Sequence, residues 1–240
     1  MSIVAVLSEK DPFKLQNFSK RHELDRKRLE FAKGEPSDHI MFSNVINQWE
    51  KAYNSSTNRP FCNKNLLNEK VLDGIYDLKK QIKEKLDKMG ILGDHRTMNF
   101  NKNNLNLIKG IIASAFYPQV KLIGHDRKNL FPYLEGENGK RIYINQKSVL
   151  KDKRLREQYA TYYLARGNRK GNLSVQDCTN IHELLVLLFT PMGNTVSYGR
   201  IPDLRMKIKK YVENCIEKRP VANANNSSVL EVLEFMKVIQ

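Results

Sequence analysis

The apolar residues of this chain change their spacing at Tyr117-Pro118, and that change constrains the fold more than any other feature. Before it, apolar residues recur every three or four positions, the period of a helix packed on one face. Val71, Leu72, Ile75, Leu78, Ile82, Leu86 and Met89 make the longest such series, with Asn68 placed to cap its start and Gly90 just past its end. Lys79, Lys80, Lys83, Lys85 and Lys88 crowd the rest of that helix and read as a solvated face. Pro36-Ser37-Asp38 reads as a second helix start, with Ile40, Val45, Trp49 and Ala52 lining one side up to Tyr53. Residues 54–60 are polar and end in a proline, which predicts a loop. Residues 14–36 are highly charged, and Met1–Leu7 is apolar but lacks the basic leader and cleavage site of a signal peptide. Leu105, Ile108, Ile111, Ile112, Ala115 and Phe116 predict a helix that closes at Tyr117-Pro118.

After Pro118 the pattern becomes short runs between glycine turns, which predicts strands and a small barrel. Val120–Ile123 is strand-like, and Gly136–Gly139 is a turn. In the next run Ile142 and Ile144 point one way and Arg141, Tyr143 and Asn145 the other. Gln158–Ala165 fits a strand, residues 166–172 form a glycine-flanked basic loop, and Leu173–Val175 restarts a strand. Ile181–Phe189 is apolar nearly throughout and should be buried, as strand or helix. Asp203–Lys218 returns to helical period, Asn223–Ser228 is a polar linker, and Val229–Val238 is a candidate terminal helix. The fold class is therefore α+β, helices first and a small barrel after.

Charge points to the partner. The chain carries 41 Lys and Arg against 26 Asp and Glu. Residues 100–220 alone hold 22 basic and 10 acidic side chains, so the excess sits with the barrel. A field of that sign attracts phosphate backbones and releases counterions on binding. No segment pairs the basic residues with a bulky apolar face, so membrane is not an expected partner. Three cysteines, Cys62, Cys178 and Cys215, lie far apart and suggest a reduced compartment, cytoplasmic with nuclear also open.

Catalytic machinery is not expected here. Gly139-Lys140 is the nearest approach to a phosphate-binding P-loop, but Leu134 stands where the first glycine belongs and Arg141 where Ser or Thr belongs. The five histidines are scattered and none pairs with cysteine at zinc spacing, so no metal is expected.

Single-strand binders combine cations with aromatic faces on which bases stack. Tyr133, Tyr143, Tyr159, Tyr162 and Tyr163 are interleaved with basic residues in the second half of the chain. The expected RNA-binding residues are Arg166, Asn168, Arg169 and Lys170 in the basic loop, with Lys147, Arg141 and Tyr143 on the barrel.

Five segments, in order, resemble one family. Ile3–Phe13, with its Asp11-Pro12-Phe13 end, looks like the stretch that closes a helix of the ratchet domain in DEAH/RHA-type RNA helicases. Ser37-Asp38-His39-Ile40 followed by Asn44 and Trp49, then Phe61–Leu67, then Asp77–Gln81, then Ala115–Val120 at the entry to the OB-fold, resemble the segments that follow in that family. Residues 121–200 match less well: where the family often has H-P-x-S-V, this chain has Asn145-Gln146-Lys147-Ser148-Val149. The details resemble the large RNA helicase A-like subgroup more than the splicing helicases.

The resemblance implies a truncated ratchet region over 1–104, a five-stranded OB-fold domain with flanking helices over 105–220, and a tail over 221–240. It implies that this chain grips single-stranded RNA for RecA-like and winged-helix domains located elsewhere in a longer protein. ATP and magnesium would be bound there, with no cofactor in this chain, which should be inactive alone. The alternative is a protein-interaction module that docks a helicase onto the ribosome or onto a G-patch-like activator.

Overall fold

The computed structural model describes residues 1–14, 18–93, 99–126, 131–136, 139–151, 155, 157–167 and 172–190. Helix α1 spans Ser2–Leu7 and buries Ala5 and Val6, while Val4 on its other side is 55% exposed. A single 3-10 turn at Phe18–Lys20 leads into α2, Arg21–Ala32. That helix is charged almost throughout, and only Leu24, Arg28, Phe31 and Ala32 are buried. It stops at Lys33 and Gly34, both in the left-handed region, where glycine escapes the steric cost of a Cβ.

Helix α3, Asp38–Asn54, starts where the sequence indicates: the Ser37 hydroxyl accepts the Ile40 N–H at 3.1 Å. Ile40, Val45, Trp49 and Ala52 are all buried. The expected loop over 54–60 is corrected in its second half, because Asn58–Lys64 forms helix α4. Pro60 sits in the first turn of that helix, where a missing N–H breaks no intrahelical bond. Helix α5 runs Glu69–Lys88 with Asn68 at its start and Gly90 in the left-handed region just after it. Only its N-terminal half is clamped, with Leu72 and Ile75 buried, and the apolar stripe runs out to a 69% exposed Met89.

Helix α6, Leu105–Ala115, is capped by Asn104, whose side chain accepts the Leu107 N–H at 3.1 Å. Its buried residues are Gly110, Ile112 and Ala113, while Ile111 is 53% exposed. The expected stripe is thus rotated. The reason is Gly110, where an added Cβ would sit 2.5 Å from the Phe189 ring. Phe189 ends helix α7, Glu183–Phe189, which resolves the strand-or-helix alternative for the apolar run in favour of helix.

Five strands close into a barrel in the order β1-β2-β3-β5-β4. They are β1 Val120–His125, β2 Pro132–Glu135, β3 Arg141–Ile144, β4 Tyr159–Gly167 and β5 Leu173–Ile181. All neighbours pair antiparallel except β3 and β5, which are parallel. A small five-stranded barrel of this kind is OB-like. Ile142 and Ile144 face inward and Arg141 and Tyr143 outward, as the alternation requires. Strand β2 was not anticipated from sequence. The segments 203–218, 223–228 and 229–238 lie outside the described residues.

Candidate nucleic-acid interface

The helical part is fastened to the barrel through the first turn of α3. The Asp38 carboxylate accepts three hydrogen bonds from the barrel: the Ser148 hydroxyl at 2.7 Å, the Val149 N–H at 2.9 Å and the Cys178 N–H at 2.8 Å. The Thr179 hydroxyl meets the Ser37 hydroxyl at 2.6 Å and His39 Nδ1 at 2.7 Å. The Ser37-Asp38-His39 motif and the Ser148-Val149 pair are therefore two halves of one buried joint. Burial pushes the Asp38 carboxyl upward against the opposing pull of its three hydrogen bonds and of Arg28. Burial also drives His39 down to about 3, so its ring is neutral at physiological pH.

Two clefts flank this joint. The first, about 500 Å³, has Val6, Leu7 and Asp11 on the helical side and Lys147, Tyr163 and Arg166 on the barrel side. The second, about 860 Å³, lies between Arg21 and Leu24 of α2 and Tyr143, Lys147 and Ser174 of the barrel. Lys147 and Arg28 border both. The Lys147 side chain is 68% exposed and stands 3.7 Å from Asp11 Oδ2. Arg28 is 4% exposed, pairs with Asp11 and lies 4.4 Å over the Phe13 ring.

The sheet register lines up the expected residues. Tyr133 pairs with Tyr143, Tyr143 with Ser174, and Ser174 with Arg166, so these four form one row across β2, β3, β5 and β4. Tyr143 is 48% exposed and Arg166 is exposed. The basic loop is the β4–β5 connection, a position OB-like barrels use for oligonucleotides. Asn168, Arg169 and Lys170 lie outside the described residues. Arg141 is set apart from the clefts: it bonds Asp126 at 2.9 Å and stacks 4.7 Å over Tyr133. Tyr159, offered above as an aromatic platform, is corrected to a core residue at 1% exposure, packed with Ala113, Val120 and Ile181.

The charge of the first cleft is mixed rather than uniformly cationic. Asp177, in the left-handed region at φ 55, shares it with Asp11 and Asp38. Burial first, then the neighbouring Asp38 and Asp11 charges, raise the Asp177 carboxyl to about 6, against the pull of Arg28 and Lys147. These carboxylates repel phosphate from the floor, while Lys147 and Arg166 offer it a place at the rim. Among the described residues no group of His, Cys, Asp and Glu could hold a metal ion, and no helix is long and apolar enough to cross a membrane.

A helical part latched to an OB-like barrel, with cations and aromatic rings along the seam, is the kind of assembly found in the accessory region of a helicase. Comparison with known proteins agrees, although no protein-family model matches the chain. The chain is 28% identical over 200 residues to the ATP-dependent DNA/RNA helicase DHX36 of Bos taurus, covering 79% of this chain and 19% of that protein. It is 27% identical over 214 residues to DHX36 of Mus musculus, and 25% identical over 209 residues to the ATP-dependent RNA helicase DHX30 of Homo sapiens. The last match covers 78% of this chain and 17% of the human protein. The homologues are DEAH-box helicases, and the chain spans about a fifth of the length of the relatives it matches.

Proposed function

We propose that this chain is the strand-holding accessory region of an ATP-dependent DEAH-box RNA helicase, and that single-stranded RNA runs along the seam between the helices and the barrel. The observation that carries this reading is the position of Lys147, which borders both clefts and stands between the Tyr143 side and the Tyr163–Arg166 side. Phosphates would meet Lys147 and Arg166, and bases would stack on Tyr143 and Tyr163. The acidic floor turns the strand so that its backbone follows the rim and its bases point inward. The Asp38 joint holds the two walls at a fixed separation, so the pair grips as one body. ATP and magnesium would be handled by RecA-like domains elsewhere in the full-length protein.

Titration of the 240-residue chain with single-stranded RNA at several salt concentrations tests this. Affinity should fall as salt rises, and Arg166→Ala with Arg169→Ala should weaken binding and flatten that dependence. Affinity unchanged by the double substitution would reject the basic loop. Salt-insensitive RNA binding beside tight binding to a ribosomal or activator protein would favour the protein-docking alternative.

A further inference from the structure

We propose that the first cleft reads one base of the bound strand and selects guanine, with Tyr163 as the stacking surface and the Asp177 carboxylate as acceptor for the guanine N1–H and N2–H. The proposal rests on the strand-holding reading above and adds a base preference to it.

The β4–β5 ladder runs from Tyr159↔Ile181 to Gly167↔Leu173 with one gap. That gap is Tyr163 opposite Asp177, between the pairs Tyr162↔Cys178 and Leu164↔Gln176. It coincides with the left-handed backbone of Asp177, an arrangement that costs energy at a residue other than glycine. Both side chains line the first cleft. The Tyr163 ring is 43% exposed and is backed by Phe116 at 5.6 Å, which is in turn backed by buried His39 at 5.2 Å. It is a supported platform, fixed before any base arrives.

The chemistry of the edge opposite Tyr163 then decides the base. An ionised carboxylate only accepts hydrogen bonds. Guanine alone among the four RNA bases offers two adjacent N–H donors on its pairing edge. Adenine and cytosine place an acceptor nitrogen beside their amino group, and uracil flanks its single N–H with carbonyls. Each of these turns a lone pair toward a carboxylate, which repels it. The groups facing Asp177 are Asp11 before α2, Arg28 of α2, Asp38 of α3 and Lys147 after β3. With its carboxyl raised only to about 6, Asp177 is mostly ionised at neutral pH.

The test uses the full chain and short pyrimidine RNAs that carry one central guanosine, inosine or adenosine, read by fluorescence polarisation. Guanosine should bind about tenfold tighter than adenosine, with inosine, which lacks the N2 amino group, between them. Asp177→Asn keeps the size and tolerates the left-handed backbone but replaces an acceptor with a donor, so it should level the three affinities. In the wild-type chain the preference should also shrink as the pH falls below 6, a readout that holds even if the variant folds poorly. Equal affinities in the wild-type chain, or a guanosine preference that survives both Asp177→Asn and acid, would overturn the proposal. No binding of even the all-pyrimidine RNA would instead strike the strand-holding reading on which it rests.

Discussion

The Asp38 carboxylate, at the first turn of α3, accepts the backbone N–H of Cys178 in β5 at 2.8 Å, across 140 residues of sequence. With Ser148 and Val149 it makes this side chain the fastening between helices and barrel. Asp38→Ala leaves three barrel donors without their acceptor in a fully buried site. It should cost about 3 kcal/mol in urea unfolding, the range seen when a buried polar network is broken. Asp38→Asn, which keeps one acceptor, should cost less.

The contact of Gly110 with Phe189 makes a second prediction. Gly110→Ala should destabilise by about 1–2 kcal/mol, because its Cβ would meet the Phe189 ring at 2.5 Å. In a Phe189→Ala background the same change should stabilise, since alanine is the better helix former. A double-mutant cycle by thermal unfolding measures this reversal of sign.

Much of the helical half is legible in the sequence, because helix period and capping residues are local. Ser37, Asn68, Gly90 and Asn104 mark helix ends that the structure keeps. The Ser37-Asp38-His39 motif was readable as a helix start but not as a joint, since its partners Ser148 and Thr179 lie 110 and 142 residues away. Strand β2 is four residues long and opens with Pro132, so it shows too little alternation to stand out. Arg28 looked like one more charge in a charged segment. Its burial depends on Asp11 and Phe13, which fold back over α2, and the Asp-Pro-Phe triplet was the available hint. The acidic component of the first cleft was also missed, because Asp11, Asp38 and Asp177 come together only in three dimensions.

Two buried groups give pH dependences of opposite sign. His39 titrates near 3 when folded and 6.5 when unfolded, so the unfolded chain takes the proton first. Its stabilising contribution is complete above 6.5 and is lost as the pH falls toward 3. Asp177 titrates near 6 when folded against 3.8 unfolded, so the folded chain takes that proton first. Stability tied to Asp177 is present below 3.8 and is lost as the pH rises through 6. Asp177→Asn should therefore raise neutral-pH stability by on the order of 1–2 kcal/mol, with the gain vanishing in acid. His39→Asn should flatten the loss of stability below 6.5. Unfolding midpoints measured across pH for each variant check both signs.

The cations at the rim should act through phosphate. Lys147→Ala with Arg166→Ala should reduce the slope of log affinity against log salt by about 1.4, the value for two fewer contacts on a single strand. Both side chains are exposed, so stability should change little.

Photo-crosslinking of 4-thiouridine RNA to the 240-residue chain, with the attached peptides identified by mass spectrometry, tests the central claim most directly. Attachment should concentrate on the seam, at Tyr143 and Tyr163 on the barrel wall and around Leu7 on the helical wall. Crosslinks confined to the lysine face of α5, with the seam unlabelled, would contradict a strand held between the helices and the barrel.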